Sequence, residues 1–418
     1  MTDPLYNIGI SAYKLAVRVA SVRNRKARLM LRGQSRTLAT LREKLDPAGG
    51  YIWVHAASLG EFEQGRPIIE RIKRDNPQAR ILLTFFSPSG YEVRKNYQLA
   101  DVVCYMPFDQ RRNVKRFLDM VKPSMAIFVK YEFWGGYLNS LRRRGIPTYI
   151  VSAIFRPGQI FFRRWGGMFR NMLRCFTTLF VQDERSRDLL AGIGINNVVV
   201  AGDTRFDRVA RVKENAREFP VIEQFVAGAQ RTVVMGSSWP QDEELMIPYF
   251  NEHPDMKLII APHEFDHERL HVLASALKRP CGFYSQVTAG EAAKLDCLII
   301  DSFGILSSLY RYGQVAYVGG GFGSGIHNIN EAAVYGIPVV FGPKHEKFRE
   351  ATDLIADGGG FAVHDNEDFT PIMDRLLHDE AFIKHAGQIA GQYIASHIGA
   401  TDVICDAIFN NPPTSNDQ

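Results

Sequence analysis

The stretch YIWVHAASLGEFEQGRP, residues 51–67, carries the fold in miniature. Residues 51–55 form an apolar run rich in aromatic and β-branched side chains. The run is too short for a helix and does not alternate, as expected of a strand buried on both faces of a parallel sheet. Ser58 and Gly60 suit a tight turn, and from Glu61 the pattern turns helical. A buried strand running straight into a helix is one half of a βαβ unit.

The same unit recurs along the chain. Apolar runs ILLTFF (81–86), VVCYM (102–106), MAIFV (125–129), TYIVS (148–152), TLFVQ (178–182) and VVVAG (198–202) alternate with polar, helix-like stretches. A charged stretch from Val209 to Glu218 has no strand signal and ends at Pro220, which puts the interdomain boundary there. A second series follows: TVVMG (232–236), KLIIA (257–261), CLIID (297–301), VAYVGG (315–320) and PVVFG (338–342). Helical patterns cover 367–409, and a polar tail from Asn410 is expected to be disordered. At 418 residues the chain exceeds what one core supports. The reading is an α/β protein of two Rossmann-like domains facing a central cleft.

Bulk properties exclude several classes. With 46% hydrophobic and 23% charged residues the chain is an ordinary globular protein, and a net charge of +5 does not call for nucleic acid. Five dispersed cysteines without a CxxC pair argue against a disulfide framework or a structural zinc. No small-residue cleavage site follows an apolar core at the N-terminus, which argues against a cleavable signal. No stretch reaches the roughly 18 uninterrupted apolar residues of a spanning helix. Residues 5–22 are apolar but interrupted by Lys14 and Arg18, and they run into Arg23, Arg25, Lys26, Arg28 and Arg32. That pattern fits an interfacial anchor on an anionic membrane face and equally a helix docked on its own domain.

In doubly wound folds ligands sit beyond the carboxyl ends of the strands, so the chemistry belongs just after the apolar runs. In HAASLGE (55–61), Glu61 at a helix start is a candidate general base. Ser58 with Glu61 three residues on is also the pattern of a capping box, and both readings stand. Glu132 in VKYEFWGG (129–136) is either a functional acid or the N-terminal charge of the next helix. Arg205 in VAGDTRFDRV (200–209) is either a cation of the site or a salt-bridged loop residue. The richest segment is VGGGFGSGIHNINEAAVYGIPVVFGP (318–343), with five glycines within 319–325 and then His327, Asn328 and Glu331. Such a loop lets backbone amides approach a phosphate, and Glu331, one turn on, would reach ribose hydroxyls. It is neither a Walker A loop nor a dinucleotide fingerprint. GSSWPQDEE (236–244), APHEFDHER (261–269) and DSFGILSSL (301–309) are further strand-end loops. The spacing in APHEFDHER matches no standard zinc signature.

Taken in order, these motifs resemble the Kdo (3-deoxy-D-manno-octulosonic acid) transferases of lipopolysaccharide synthesis. HAASLGE is similar to the family's S-x-G-E, EFW to E-L-W, GDTRFD to G-[DN]-x-K-F-D and GSSWPQDEE to G-S-T-H-x-x-E-E. DSFGIL resembles D-T-M-G-E-L, GIHNINEAA resembles G-G-H-N-x-L-E-P-A, and GPKHEKFRE resembles G-P-x-x-x-N-F-x-E. The departures are Arg205 for the usual Lys, Lys130 where Glu is frequent, Ile305 and Ile326 for Glu and Gly, and a loose APHEFDHER.

The resemblance implies a GT-B glycosyltransferase, inverting and metal-independent, that moves Kdo from CMP-Kdo to a lipid A precursor (a tetraacyl disaccharide bisphosphate). It implies Glu61 as base, Glu132 and Arg205 as stabilisers of the transition state, and no cofactor beyond the co-substrate. CMP would be held by Pro262, His263, Phe303, Gly304, Ile305, Asn328, Ile329, Asn330 and Glu331. The corresponding domains are a membrane-associating helix over 1–33, an acceptor-binding domain over 34–218, a CMP-sugar donor-binding domain over 219–409 and the tail 410–418. A lipid acceptor places the enzyme at the cytoplasmic face of the bacterial inner membrane. The competing readings are a GT-B enzyme using a UDP-sugar and a membrane-associated nucleotide-binding scaffold.

Overall fold

The structure, a computed structural model, describes residues 4–410. The apolar runs are strands. The first series gives β1 (Tyr51–Ala56), β2 (Ile81–Phe85), β3 (Val102–Tyr105), β4 (Pro123–Val129), β5 (Thr148–Ala153), β6 (Thr178–Val181) and β7 (Val198–Val200). All pair in parallel in the order β3-β2-β1-β4-β5-β6-β7. The second series gives β8 (Arg231–Ser238), β9 (Met256–Pro262), β10 (Cys281–Phe283), β11 (Cys297–Ile299), β12 (Val315–Val318), β13 (Val339–Phe341) and β14 (Gly360–Ala362). These are again all parallel, ordered β10-β11-β9-β8-β12-β13-β14.

Strand β1 shows why its sequence is an unbroken apolar run. Tyr51 and Trp53 join a core shared with α1 (Pro4–Ala20) and α2 (Arg25–Lys44) through Val17, Met30 and Leu41. Ile52, Val54 and Ala56 join a second core, shared with Phe62, Ile68 and Ile72 of α3 (Leu59–Asp75). Alternate side chains go to opposite faces and both faces are covered, so neither parity is polar.

The chain divides into one unit of residues up to Asp207 and from Gly399 onward, and another of Arg208–Ile398. The sequence placed this boundary at 218/219 and left the C-terminal helices with the second domain. The helix Thr204–Glu214 runs through the dividing point without a break. Asp207 on it accepts hydrogen bonds from Gly399 N (2.6 Å), Thr401 N (2.7 Å) and Thr401 Oγ1 (2.6 Å), which brings the last helix Ala400–Cys405 back to the first unit. The expected boundary at 33/34 lies inside α2, whose Thr37 Oγ1 donates to Tyr105 O at 2.9 Å. Asn410 ends a π-helical turn, and the rest of the expected tail lies outside the described residues. Among the described residues no helix is long and apolar enough to cross a membrane.

Candidate active site

Each sheet has a point at which the chain starts building in the opposite direction, between β1 and β4 in the first and between β8 and β12 in the second. In folds of this kind ligands bind at such points, beyond the carboxyl ends of the strands. Glu61 follows β1 and Glu132 follows β4. GSSWPQDEE follows β8, and the glycine-rich segment follows β12. Backbone strain collects at the same ends. Lys130, Ser152 and Ser237 are non-glycine residues at φ of +66°, +52° and +53°, a region L-residues enter only when surrounding structure imposes it.

Glu132 is buried and its Oε2 has two donors, Trp134 Nε1 at 2.5 Å and His55 Nε2 at 3.0 Å. His55 is fully buried on β1. Its Nδ1 lies 2.8 Å from Thr84 Oγ1, which itself accepts Trp53 Nε1 at 2.8 Å. Trp53 donates to the Thr84 hydroxyl, Nδ1 of His55 faces that hydroxyl and, at 3.2 Å, the Thr84 carbonyl oxygen, and Nε2 donates to the Glu132 carboxylate. Glu132 is therefore a held acceptor, which a charge at a helix start would not require. His55 was not among the residues the sequence singled out, because a His in an apolar strand reads as core. Its one sequence signal is its place immediately ahead of the loop bearing Glu61.

Glu61 is half-buried in the first turn of α3. Ser58 occupies the N-cap position but makes no side-chain bond to the helix backbone; its hydroxyl donates to Glu61 Oε2 instead. The capping box does not form. The other carboxylate oxygen has no partner among the described residues.

Arg205 is held by Asp203, whose Oδ2 lies 2.8 Å from Nη2 and 2.9 Å from Nε. Gln64 Nε2 donates to the same carboxylate at 3.1 Å. Burial pushes the Asp203 carboxyl up, but the charge and hydrogen bonds of Arg205, helped by Gln64, outweigh it and leave the group below the usual carboxylate range. Of the motif GDTRFD, then, Asp203 orients Arg205 and Asp207 caps the C-terminal helix.

In the second unit the hub is Asp242, which the sequence did not single out. Its Oδ2 accepts Trp239 N at 2.9 Å and Gly320 N at 3.0 Å, and its Oδ1 accepts Tyr317 Oη at 3.0 Å. This fully buried carboxylate, its pKa raised by burial, ties the loop after β8 to the loop after β12. Gly320 needs its left-handed φ of +95°. A Cβ on Gly321 would lie 2.5 Å from Gly342 Cα, so glycine is required where the loop after β12 meets the loop after β13.

His327 stacks on His263 at 4.2 Å and its Nε2 accepts Trp239 Nε1 at 3.1 Å. Burial, and then the neighbouring His263, lowers its pKa to about 4, so it is neutral at pH 7. Glu331 is held by Asn328 Nδ2 (3.1 Å) and Ser307 Oγ (2.7 Å). Phe303, 77% exposed, stacks on Phe265 at 4.5 Å, and Gly304 beside it has φ +80°. Pro262 ends β9. Ile305 and Ile329 are buried and have only backbone to offer a ligand, while Asn330 is fully buried with both side-chain polar atoms unpartnered. In APHEFDHER, Arg269 clamps Glu243 at 3.0 Å. No three His, Cys, Asp or Glu side chains among the described residues converge as a metal site would need.

Residues 23–208 match the family profile described as 3-deoxy-D-manno-octulosonic-acid transferase. The chain is 27% identical to the 3-deoxy-D-manno-octulosonic acid transferase of Aquifex aeolicus, over 84% of this chain and 94% of that protein. It is also 27% identical to that of Bordetella pertussis, over 87% of each. Together these matches support the Kdo transferase family for this chain. It is accordingly a glycosyltransferase, with Kdo transferase activity in lipopolysaccharide biosynthesis, and the scaffold reading falls. Its fold is GT-B. Among solved structures, MurG of Acinetobacter baumannii superposes with a TM-score of 0.56 at 12% identity, covering 86% of this chain and 99% of that one.

Proposed function

We propose that this Kdo transferase takes Kdo from CMP-Kdo and passes it to a lipid A precursor, a tetraacyl disaccharide bisphosphate, with Glu61 as general base. The acceptor hydroxyl gives its proton to the free oxygen of Glu61 as its own oxygen attacks the anomeric carbon of Kdo. The bond from that carbon to the CMP phosphate breaks with inversion, and the phosphate leaves with the electron pair. Glu132 supports the positive charge that develops on the sugar, and Arg205 supports negative charge. Backbone amides of the loop 319–325 receive the departing phosphate, so the step needs no metal.

The observation that carries this reading is the state of Glu61. It stands at the end of β1, its neighbour Ser58 bonds to it rather than to the helix, and one oxygen is left for a substrate. Support for the donor site comes from the lattice of Asp242, which fixes the glycine loop, and from Pro262, His263, Phe303 and Glu331 on strand-end loops of the same unit.

A lipid acceptor also gives α1 a role. Its exposed Ile8, Leu15 and Val19, with the basic residues Arg23–Arg32, suit the cytoplasmic face of the inner membrane.

Incubation of the protein with CMP-Kdo and the lipid A precursor should give a mass increase of Kdo on the lipid, with UDP-sugars inert as donors. Glu61→Gln should lose turnover by roughly a thousandfold while CMP-Kdo binding by calorimetry stays unchanged. Transfer from a UDP-sugar, or normal kcat in Glu61→Gln, would sink the reading.

A further inference from the structure

The helix α1 has two apolar faces. Ile8, Leu15 and Val19 are 65%, 61% and 68% exposed. Tyr6, Tyr13 and Val17 repeat the same spacing two residues earlier, about 200° away around the helix; Val17 is buried, Tyr6 half-buried, and Tyr13, though 44% exposed, stacks on Phe86. Of the three, Tyr6 bonds to the segment that carries Glu132. Tyr6 Oη donates to Asp109 Oδ2 at 2.5 Å and accepts Gly135 N at 3.0 Å; the same Asp109 oxygen accepts Gly136 N at 2.7 Å. Gly135 and Gly136 begin the helix Gly135–Arg143, whose N-cap residue, Trp134, offers no side-chain acceptor. Tyr6 and Asp109 thus fix the start of that helix from outside it. A Cβ on Gly136 would strike the Asp109 carboxylate, and one on Gly135 would press on the Met172 methyl at 2.8 Å, which accounts for the glycine pair after Trp134.

Trp134 is one of the two residues that bind Glu132. A second contact reaches it from the same face of α1, since Tyr13 stacks on Phe86 at 6.2 Å and Phe86 packs on Trp134 at 4.6 Å. The irregular backbone bearing Glu132 is therefore held at one end by the strained Lys130, whose N–H bonds Val151 O, and at the other by α1.

We propose that Tyr6 and Asp109 are positioning residues for Glu132, so that α1 is part of the catalytic apparatus as well as a surface for lipid. The proposal rests on the reading of Glu132 as a group of the reaction centre. An anchor alone would need only the outer face. On the inner face the half-buried phenol of Tyr6 converges with the buried carboxylate of Asp109 on one helix start, something that attachment does not ask for.

The test uses the full chain with CMP-Kdo and two acceptors, the lipid A precursor and its deacylated, water-soluble disaccharide. Tyr6→Phe removes one hydroxyl. It should lower kcat about tenfold on both acceptors, with unchanged KM for CMP-Kdo and unchanged recovery on phosphatidylglycerol–phosphatidylethanolamine vesicles. Ile8→Asp, on the outer face, should reduce vesicle recovery and leave kcat on the soluble acceptor unchanged. In a Glu132→Gln background Tyr6→Phe should add less than about twofold, because both act at one point. Normal kcat for Tyr6→Phe on the soluble acceptor would overturn the proposal, as would a full tenfold effect persisting in the Glu132→Gln background. Full activity of Glu132→Gln by itself would instead remove the reading beneath it, an outcome distinct from a silent Tyr6→Phe.

Discussion

Asp109 is the residue whose chemistry is easiest to expose. It is almost entirely buried, and burial pushes its pKa from 3.8 to about 6 against the opposing hydrogen bonds of Tyr6 and the amides of Gly136 and Tyr137. Between those two pH values the folded chain keeps a proton that the unfolded chain has lost. Stability therefore falls as pH rises through this window, and above about 6 the cost is constant. At 1.36 kcal/mol per pKa unit the full swing is about 3 kcal/mol at most. Asp109→Asn removes the ionisation and keeps an acceptor. Its melting temperature should gain on that of the wild type as pH rises from about 4 to about 6.5, then run parallel. A constant offset across that range would show that Asp109 does not titrate there. None of this was visible in PFDQRR, where Asp109 is one more loop carboxylate. Apart from the family resemblance, Glu61 and Glu132 were visible only as strand-end acids, and what separates each from a helix charge is a bond to Ser58 or to His55, made by side-chain direction rather than by spacing.

At the scale of elements, the apolar runs disclosed most strands because a parallel strand buried on two faces has little choice of composition. The edge strands β10 and β14 escaped. Each is three residues long and carries a glycine, so neither forms an apolar run, and each is paired on one side only. The return of the C-terminal helix to the first unit also escaped, since it turns on Asp207, nearly 200 residues away. Asp207 caps that helix in place of a local residue: Gly399 stands at the N-cap with φ +115° and no side chain. Ile404, Cys405 and Ile408 then fill the core beside α3. Asp207→Ala deletes three acceptor contacts at this cap and should cost about 1–2 kcal/mol. The loss should be local, with faster hydrogen exchange across Thr401–Ile408 and little change in β1 or β4. Unaltered exchange in that segment would mean that packing of Ile404 and Ile408 alone holds the helix.

On the scale of the whole molecule, the two sheets repeat one plan in different sequences: seven parallel strands each, with the candidate site residues at or after the carboxyl ends of strands. That is why positions of motifs could be read before any contact was known, and why the two units should fail in different ways. Asp242 belongs wholly to the second. It accepts two loop amides and the Tyr317 hydroxyl, and no other described carboxylate joins the loops after β8 and β12. Alanine there leaves Trp239 N, Gly320 N and Tyr317 Oη buried without an acceptor, at about 1–3 kcal/mol for each group that water does not reach. The first consequence is loss of the shape of the glycine-rich loop. Asp242→Ala should therefore weaken CMP-Kdo binding by about tenfold or more in calorimetry, while hydrogen exchange across Tyr51–Ala56 and the amides of Gly135 and Gly136 stays as in the wild type. Asp242→Asn should be milder. Its amide oxygen can still accept the two amides while its NH2 donates to the Tyr317 hydroxyl, which can turn to accept. Glu61→Gln is the counterpart in the first unit, with turnover lost and donor affinity kept. The pair of variants dissociates binding from chemistry. Equal loss of CMP-Kdo affinity in Asp242→Ala and Glu61→Gln would mean that the donor depends on both units alike, and would remove the division of labour argued here.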